Sequence, residues 1–299
     1  CPRGKMIGGC SSHNGMVFVR GNPLDFERWA SYGLPKWSYQ NVLPYFKKLE
    51  TWSGGENLYR GGQGPLKVNR SKRGDAVPLF KSLIKAAAEA GYDTFEDSNG
   101  FKQDGFGTFD VTIDNGKRQG VSRAYLKEMK GYKNLSIEHN TDVSKIIFKE
   151  KKAIGVEVKR NNHSEIYYCN KEIILSSGSI NSPKILQLSG IGDEKVLNQN
   201  GIEIINHLPG VGKNLQDHLE IYIQHKSKIK DTLYNLSTNY FTQALEGAKW
   251  FLLKKGMLTY SHLEVGGFVK TSEKYKHPNI QLHFFPSLVI NHGLTNPSF

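Results

Sequence analysis

The sequence predicts a mixed α/β protein, and three features predict it. Apolar residues recur at helical spacing over 41–50 and 78–90. Apolar and polar residues alternate as in strands over 143–149 and 153–159. Residues 172–188 read as a short apolar strand, a turn of small residues and a helix, an arrangement that presents backbone amides and a helix N-terminus to a polar ligand.

The remaining elements follow in order. GKMIGGCSSHNGMVFVRG (4–21) crowds glycines with Cys10, Ser11, Ser12 and Asn14, places His13 among them, and runs into the strand-like piece 16–19. Small residues at that density let backbone approach something large and flat. On composition alone the stretch reads equally well as a glycine-rich surface turn with an incidental histidine. Residues 25–30 form a short amphipathic helix, and Ser38 is placed to cap the helix over 41–50. Residues 53–64 are turn-rich, and Gly91 stops the helix over 78–90. Residues 99–107 read as loop, 122–130 as helix and 135–139 as strand. Asn161-Asn162 reads as a hairpin turn leading into a strand over 165–168. The small-residue turn 176–179 leads a helix through Leu188, and 208–212 is a tight glycine turn. Residues 221–225 look like a strand, 243–253 a helix, and 265–269 and 280–285 strands of a final sheet.

Composition excludes several classes. The chain has 299 residues with 38% hydrophobic content, enough for a real core and too apolar for a disordered chain. No apolar run approaches the roughly 20 residues that span a bilayer. The net charge of +12 is mostly lysine, spread from Lys5 to Lys276. Without any nucleic-acid-binding motif it reads as a solvated surface rather than a nucleic-acid interface. Three cysteines without CxxC spacing argue against a disulfide scaffold or a zinc site and suit a reducing compartment. No other metal site and no Ser-His-Asp arrangement is visible.

Four stretches carry the chemistry when taken together: 4–21, WSYQNVLPYFKKLE (37–50), GSINSPKILQLSGIG (178–192) and LPGVGKNLQDH (208–218). In this order and spacing the chain resembles the glucose–methanol–choline (GMC) family of FAD-dependent alcohol oxidoreductases. The first stretch departs from the family signature at Cys10 and His13. Finer features, LPGVGKNLQDHLEIYIQ (208–224), HLEVGGF (262–268), HPNIQLHFFP (277–286), YRGGQGPLKV (59–68) and DVTIDNGKR (110–118), are similar to its choline-oxidising members.

The resemblance implies a Rossmann-like FAD-binding domain joined to a substrate domain built on an antiparallel sheet flanked by helices. The FAD-binding region would cover 1–222, with a helical and loop insertion at about 37–118, and 223–299 would begin the substrate domain. It also implies that a GxGxxG unit precedes Cys1, that a catalytic histidine pair follows Phe299, and that residues 1–299 by themselves are inactive. Along the flavin the resemblance places Gly8, Gly9, Ser11, His13, Asn14, Gly15, Met16 and Val17. Val143 matches a position whose backbone meets the adenine, and Gly178 and Ser179 match a turn near the adenosine. His13 would be bonded to the flavin 8α carbon, or stand non-bonded beside the ring. Asn214 to His218, including Asp217, buttress the domain or reach the ligand. Glu264 would face a substrate ammonium, with Phe284 and Phe285 assisting, or serve as a structural acceptor.

The implied reaction is oxidation of a primary alcohol, choline to betaine aldehyde, with electrons passed to a quinone-type acceptor. Another alcohol, or oxygen as acceptor, remains open, as does a basic non-catalytic binding module. The implied location is the cytoplasm, or the inner face of an energy-transducing membrane held peripherally.

Overall fold

In a computed structural model the described residues are 3–72, 77–161, 163–228, 232–233 and 239–289. They include six α-helices: α1 (Pro23–Ser31), α2 (Tyr39–Leu49), α3 (Pro78–Glu89), α4 (Gly178–Leu188), α5 (Glu194–Gln199) and α6 (Tyr240–Leu253). The chain divides into two compact units, one of Cys1–Tyr132 with Tyr222–Phe299 and one of Lys133–Ile221.

The first unit is built on two sheets. In one, Val17–Phe18 pairs with Asp110–Val111, which pairs with Leu66–Arg70, which runs parallel to Glu50–Trp52. In the other, Val265–Val269 lies between Ile280–Phe284 and Gly105–Thr108, antiparallel to both. Two glycines let that centre be crowded. A Cβ on Gly266 would stand 2.0 Å from the Leu282 carbonyl oxygen, and one on Gly107 2.5 Å from that of Phe95. Phe95, Phe109 and Phe268 form the core beside this sheet, with ring centroids 5.7–6.2 Å apart, and Val17 and Val19 pack on them. A second cluster joins Val77 and Phe80 to Val265. Burial of these large side chains is the main stabilising term of the unit.

The second unit is a meander, Asp142–Lys149, Lys152–Arg160 and His163–Tyr168, each antiparallel to the next. α4 packs on the first of these strands. The Ser189 hydroxyl accepts from Ile146 N–H at 2.8 Å and donates to Ile185 O at 2.5 Å, joining helix end to strand. Gly190 (φ 81) turns the chain so tightly that a Cβ would meet the Glu203 carbonyl oxygen at 2.3 Å.

Several expectations are corrected. Residues 99–107 are not all loop, because Gly105–Thr108 is the third strand of the second sheet. Its glycines hide the strand in the sequence, and only pairing with a distant segment reveals it. Residues 122–130 do not make an α-helix. They begin with a single π turn, Ser122–Leu126, and continue as turns. Residues 135–139, 172–175 and 221–225 form no strand and have no ladder partners among the described residues, and Ile174 and Ile223 are 79% and 78% exposed. Alternation or an apolar run selects extended backbone, but a strand also needs a neighbour to hydrogen-bond. In the last of these segments, Gln224 bonds the Val289 backbone through its side chain, at 3.0 and 3.1 Å. Ser38 stands at the N-cap of α2 without a side-chain capping bond, and Tyr39 N–H donates instead to Glu27 Oε1 at 2.9 Å. Asn161 has the positive φ, 47°, of a tight turn, whereas Asn162 lies outside the described residues.

Candidate functional site

The loop 4–17 is shaped by its own small residues. Gly8 (φ 91) and Gly9 (φ 54) enter a 3₁₀ turn, Gly9–Ser12. A Cβ on Gly8 would stand 2.6 Å from Ser12 Oγ and 3.2 Å from Ser122 Oγ, so only glycine fits. Around Gly9 a Cβ would meet nothing within 4 Å, leaving that backbone open to an approaching group. The Ser11 hydroxyl donates to Gly8 O at 2.6 Å and accepts from Val121 N–H at 2.9 Å. Asn14 Oδ1 accepts from Met16 N–H at 3.2 Å, and Met16 (φ 61) passes the chain into Val17, which pairs with Val111. His13 is exposed, and its backbone N–H donates to Cys10 O at 3.2 Å.

The segment carrying Glu264 abuts this loop. A Cβ on Gly15 would lie 2.9 Å from Leu263 Cδ1. Glu264 is fully buried, with Oε1 accepting from Ser261 N–H at 3.1 Å, while its carbonyl accepts from Phe109 N–H at 2.7 Å. His262, two residues earlier, has φ 66. Phe284 meets Phe80 edge-on at 5.8 Å and lies across the sheet from Val265. The first unit thus brings together Gly8, Gly9, Ser11, His13, Asn14, Gly15, Met16, Val17 and the Glu264 segment.

Val143 and Gly178 belong to the second unit. Val143 pairs with Val158 and is partly exposed. Gly178 (φ 84) opens α4, again with open space where a Cβ would be, and Ser182 Oγ accepts from Ser177 N–H at 3.0 Å. Such a start leaves amide donors at a helix N-terminus. Asp217 and His218 are exposed, joined by a 2.8 Å bond from His218 N–H to Asp217 Oδ1.

Two features escaped the sequence reading. The first is Arg118, whose Nη1 donates to Asn14 Oδ1 at 2.6 Å, Asn14 O at 2.7 Å and Ser11 O at 3.3 Å. The Asn-Gly pair at 115–116 could have located it, because Asn115 (φ 49) and Gly116 (φ 66) make the tight hairpin that returns Arg118 to the loop. The second is a buried ionic cluster. Arg60 donates to Glu50 (2.8 and 3.1 Å), Asp97 (2.8 Å) and Asp110 (2.6 Å), and stacks on Trp52 at 4.4 Å. Arg20 adds a 2.8 Å bond to Glu50. Burial opposes the Arg60 charge, but the three carboxylates outweigh it and hold the guanidinium's pKa above its usual value. Burial pushes the Asp110 carboxyl up, with Arg60 pulling against it. No sequence signal joins these residues, since each comes from a different segment. Beside them lies a cavity of about 260 Å³ lined in part by Arg20, Tyr39, Phe101, Lys102 and His277. Among the described residues no group of side chains could hold a metal ion.

The fold is one met in flavin-dependent oxidoreductases. A solved structure of an FAD-dependent oxidoreductase from Chaetomium thermophilum superposes with a TM-score of 0.81 at 32% identity, covering 89% of this chain and 49% of that one. A formate oxidase, 24% identical with a TM-score of 0.82, shares the fold over 96% of this chain and 55% of its own. Residues 1–220 match the GMC oxidoreductase family model, and the chain belongs to that family. Among curated relatives, the oxygen-dependent choline dehydrogenase of Photobacterium profundum is 43% identical over 287 residues, 96% of this chain and 50% of its own. The mitochondrial choline dehydrogenase of Homo sapiens is 45% identical over 292 residues, 98% of this chain and 49% of its own. That of Staphylococcus xylosus, again named oxygen-dependent, is 44% identical over 301 residues, 99% and 53%. The chain spans about half the length of these relatives.

Proposed function

We propose that this chain is part of an FAD-dependent enzyme that oxidises choline to betaine aldehyde. The observation that carries the reading is identity of 43–45% to choline dehydrogenases, sustained over 96% or more of the chain. The cofactor, FAD, supplies the hydride acceptor for alcohol oxidation. The residues present fit it. Gly9 and Gly178 each offer open backbone at positive φ, and Ser11 and Asn14 are tied down beside His13.

In this reading Gly8, Gly9, Ser11, His13, Asn14, Gly15, Met16 and Val17 border the flavin ring, with His13 its candidate covalent tether. Val143 and Gly178 serve the adenosine end. Glu264, buried and next in the chain to the Leu263 that abuts Gly15, is the candidate to offset the charge of a quaternary ammonium. A carboxylate there would favour a cationic substrate over a neutral one by charge. We assign FAD binding to a region reaching from the N-terminal loop to about residue 222, and the start of the substrate domain to 223–299.

The test compares choline with its neutral carbon isostere, 3,3-dimethylbutan-1-ol, as substrates of the purified full-length protein. Choline should be oxidised with kcat/KM about tenfold or more above the isostere, as expected when a carboxylate recognises charge. Equal rates would replace choline with another alcohol.

Two finer assignments accompany this reading. The electron acceptor is quinone-type. The second reading is oxygen, favoured by the names of the bacterial relatives, and stoichiometric peroxide in air would establish it. The protein also contacts an anionic membrane surface peripherally. No helix among the described residues is long and apolar enough to cross a membrane. α6, however, turns Tyr240, Phe241, Leu245, Phe251 and Leu252 outward, beside Lys249, Lys254 and Lys255. Outward apolar residues flanked by lysines suit the headgroup region of an anionic bilayer.

A further inference from the structure

Arg118 stands where it can set the shape of the loop that carries His13. One nitrogen, Nη1, with two N–H bonds, serves three acceptors: Asn14 Oδ1 (2.6 Å), Asn14 O (2.7 Å) and, by a shared longer contact, Ser11 O (3.3 Å). Ser11 and Asn14 lie on either side of His13 in the chain. The same part of the chain grips the loop twice more. Val121 N–H donates to Ser11 Oγ at 2.9 Å, and Gly120 is glycine where a Cβ would stand 3.1 Å from Ser11 O. The π turn Ser122–Leu126 follows at once, and π turns recur at functional sites. The hairpin is itself anchored, because Trp250 Nε1 on α6 donates to Gly116 O at 2.8 Å.

We propose that Arg118 is a positioning residue for the flavin: by clamping Ser11 and Asn14 it fixes the distance at which His13 and the loop backbone meet the ring. The proposal rests on the family reading above. A loop of glycine and small polar residues has much conformational freedom to lose on binding. A clamp already made in the protein removes that cost before the cofactor arrives. Arg118 acts through Ser11 and Asn14 and need not touch the ring.

The test uses the full-length protein and its variants Arg118→Met and Arg118→Lys. Met removes the donor nitrogen. Lys keeps one nitrogen with three N–H bonds on a long stem, able to serve the same three acceptors. The readouts are the flavin-to-protein ratio after gel filtration, the position and shape of the flavin absorption band, and the thermal midpoint of the chain. Arg118→Met should fold, weaken flavin retention about tenfold, the scale of a lost charge-assisted hydrogen-bond set, and shift the band. Arg118→Lys should recover both. A folded Arg118→Met with native flavin content and an unshifted band would overturn the proposal. Should the Met variant not fold, the Lys variant decides: native flavin content and band support the clamp, and a folded Lys variant lacking flavin overturns it. Native protein without any flavin would overturn the proposed FAD-dependent function instead, a result that the variants do not mimic.

Discussion

Arg60, fully buried, joins Glu50, Asp97 and Asp110, which come from segments far apart in sequence. Arg60→Met would leave buried carboxylates without their partner, and should cost about 3–5 kcal/mol in urea unfolding. A loss below about 1 kcal/mol would mean that the cluster relaxes to water. Asp110 adds a pH dependence. A carboxyl raised by burial binds more protons folded than unfolded. Its contribution is greatest below the ordinary value of 3.8 and is lost as pH rises through the folded pKa. Asp110→Asn has no such loss, so its stability deficit relative to the native protein should narrow between acid pH and neutrality. A deficit that widens with pH would contradict this. His13 is legible in a different way. Its neighbours in CSSHN made it a candidate from sequence, and the structure shows it exposed on a loop fixed on both sides. With a covalent tether, acid precipitation of the full-length protein should carry the yellow colour into the pellet, and His13→Ala should release it to the supernatant. Native protein whose colour stays in the supernatant would leave the flavin non-covalent.

At the scale of elements, helices were more legible than strands. α2, α3 and α6 follow from apolar periodicity because a helix hydrogen-bonds within itself. Gly105–Thr108 was hidden because its glycines carry no pattern, while the close approach of Asp93 and Phe95 demands their small size. Gly266→Ala, on the strand that Gly105–Thr108 pairs with, tests the packing of that sheet. The new methyl would meet backbone, the Leu282 carbonyl at 2.0 Å, rather than a flexible side chain. A loss of about 2–3 kcal/mol is expected, with the sheet displaced; an unchanged melting midpoint would show that the strands separate freely. α6 belongs here too, since residues 243–253 read as a helix and the structure shows which of its apolar residues lie outward. Full-length protein should sediment with vesicles containing phosphatidylserine and less with phosphatidylcholine alone, and Phe251→Ser with Leu252→Ser should lower that binding. Binding indifferent to lipid charge and to both substitutions would remove α6 as the contact.

At the scale of the whole molecule, the sequence by itself determined the family, the order of its signature stretches, most helices and, to within a residue or so at their ends, the strands read over 143–149, 153–159, 265–269 and 280–285. These are local properties: periodicities, turn residues and short motifs whose physics is complete within a dozen residues. Only the tertiary structure decided which extended segments gain partners. It also decided that Gly105–Thr108 joins the sheet of Val265–Val269, that Arg60 gathers three carboxylates, and that Arg118 reaches back to Ser11 and Asn14. Each of these joins residues far apart along the chain. A ladder, an ion cluster or a clamp has no signature in either segment alone, because its energy exists only when both are brought within hydrogen-bond distance.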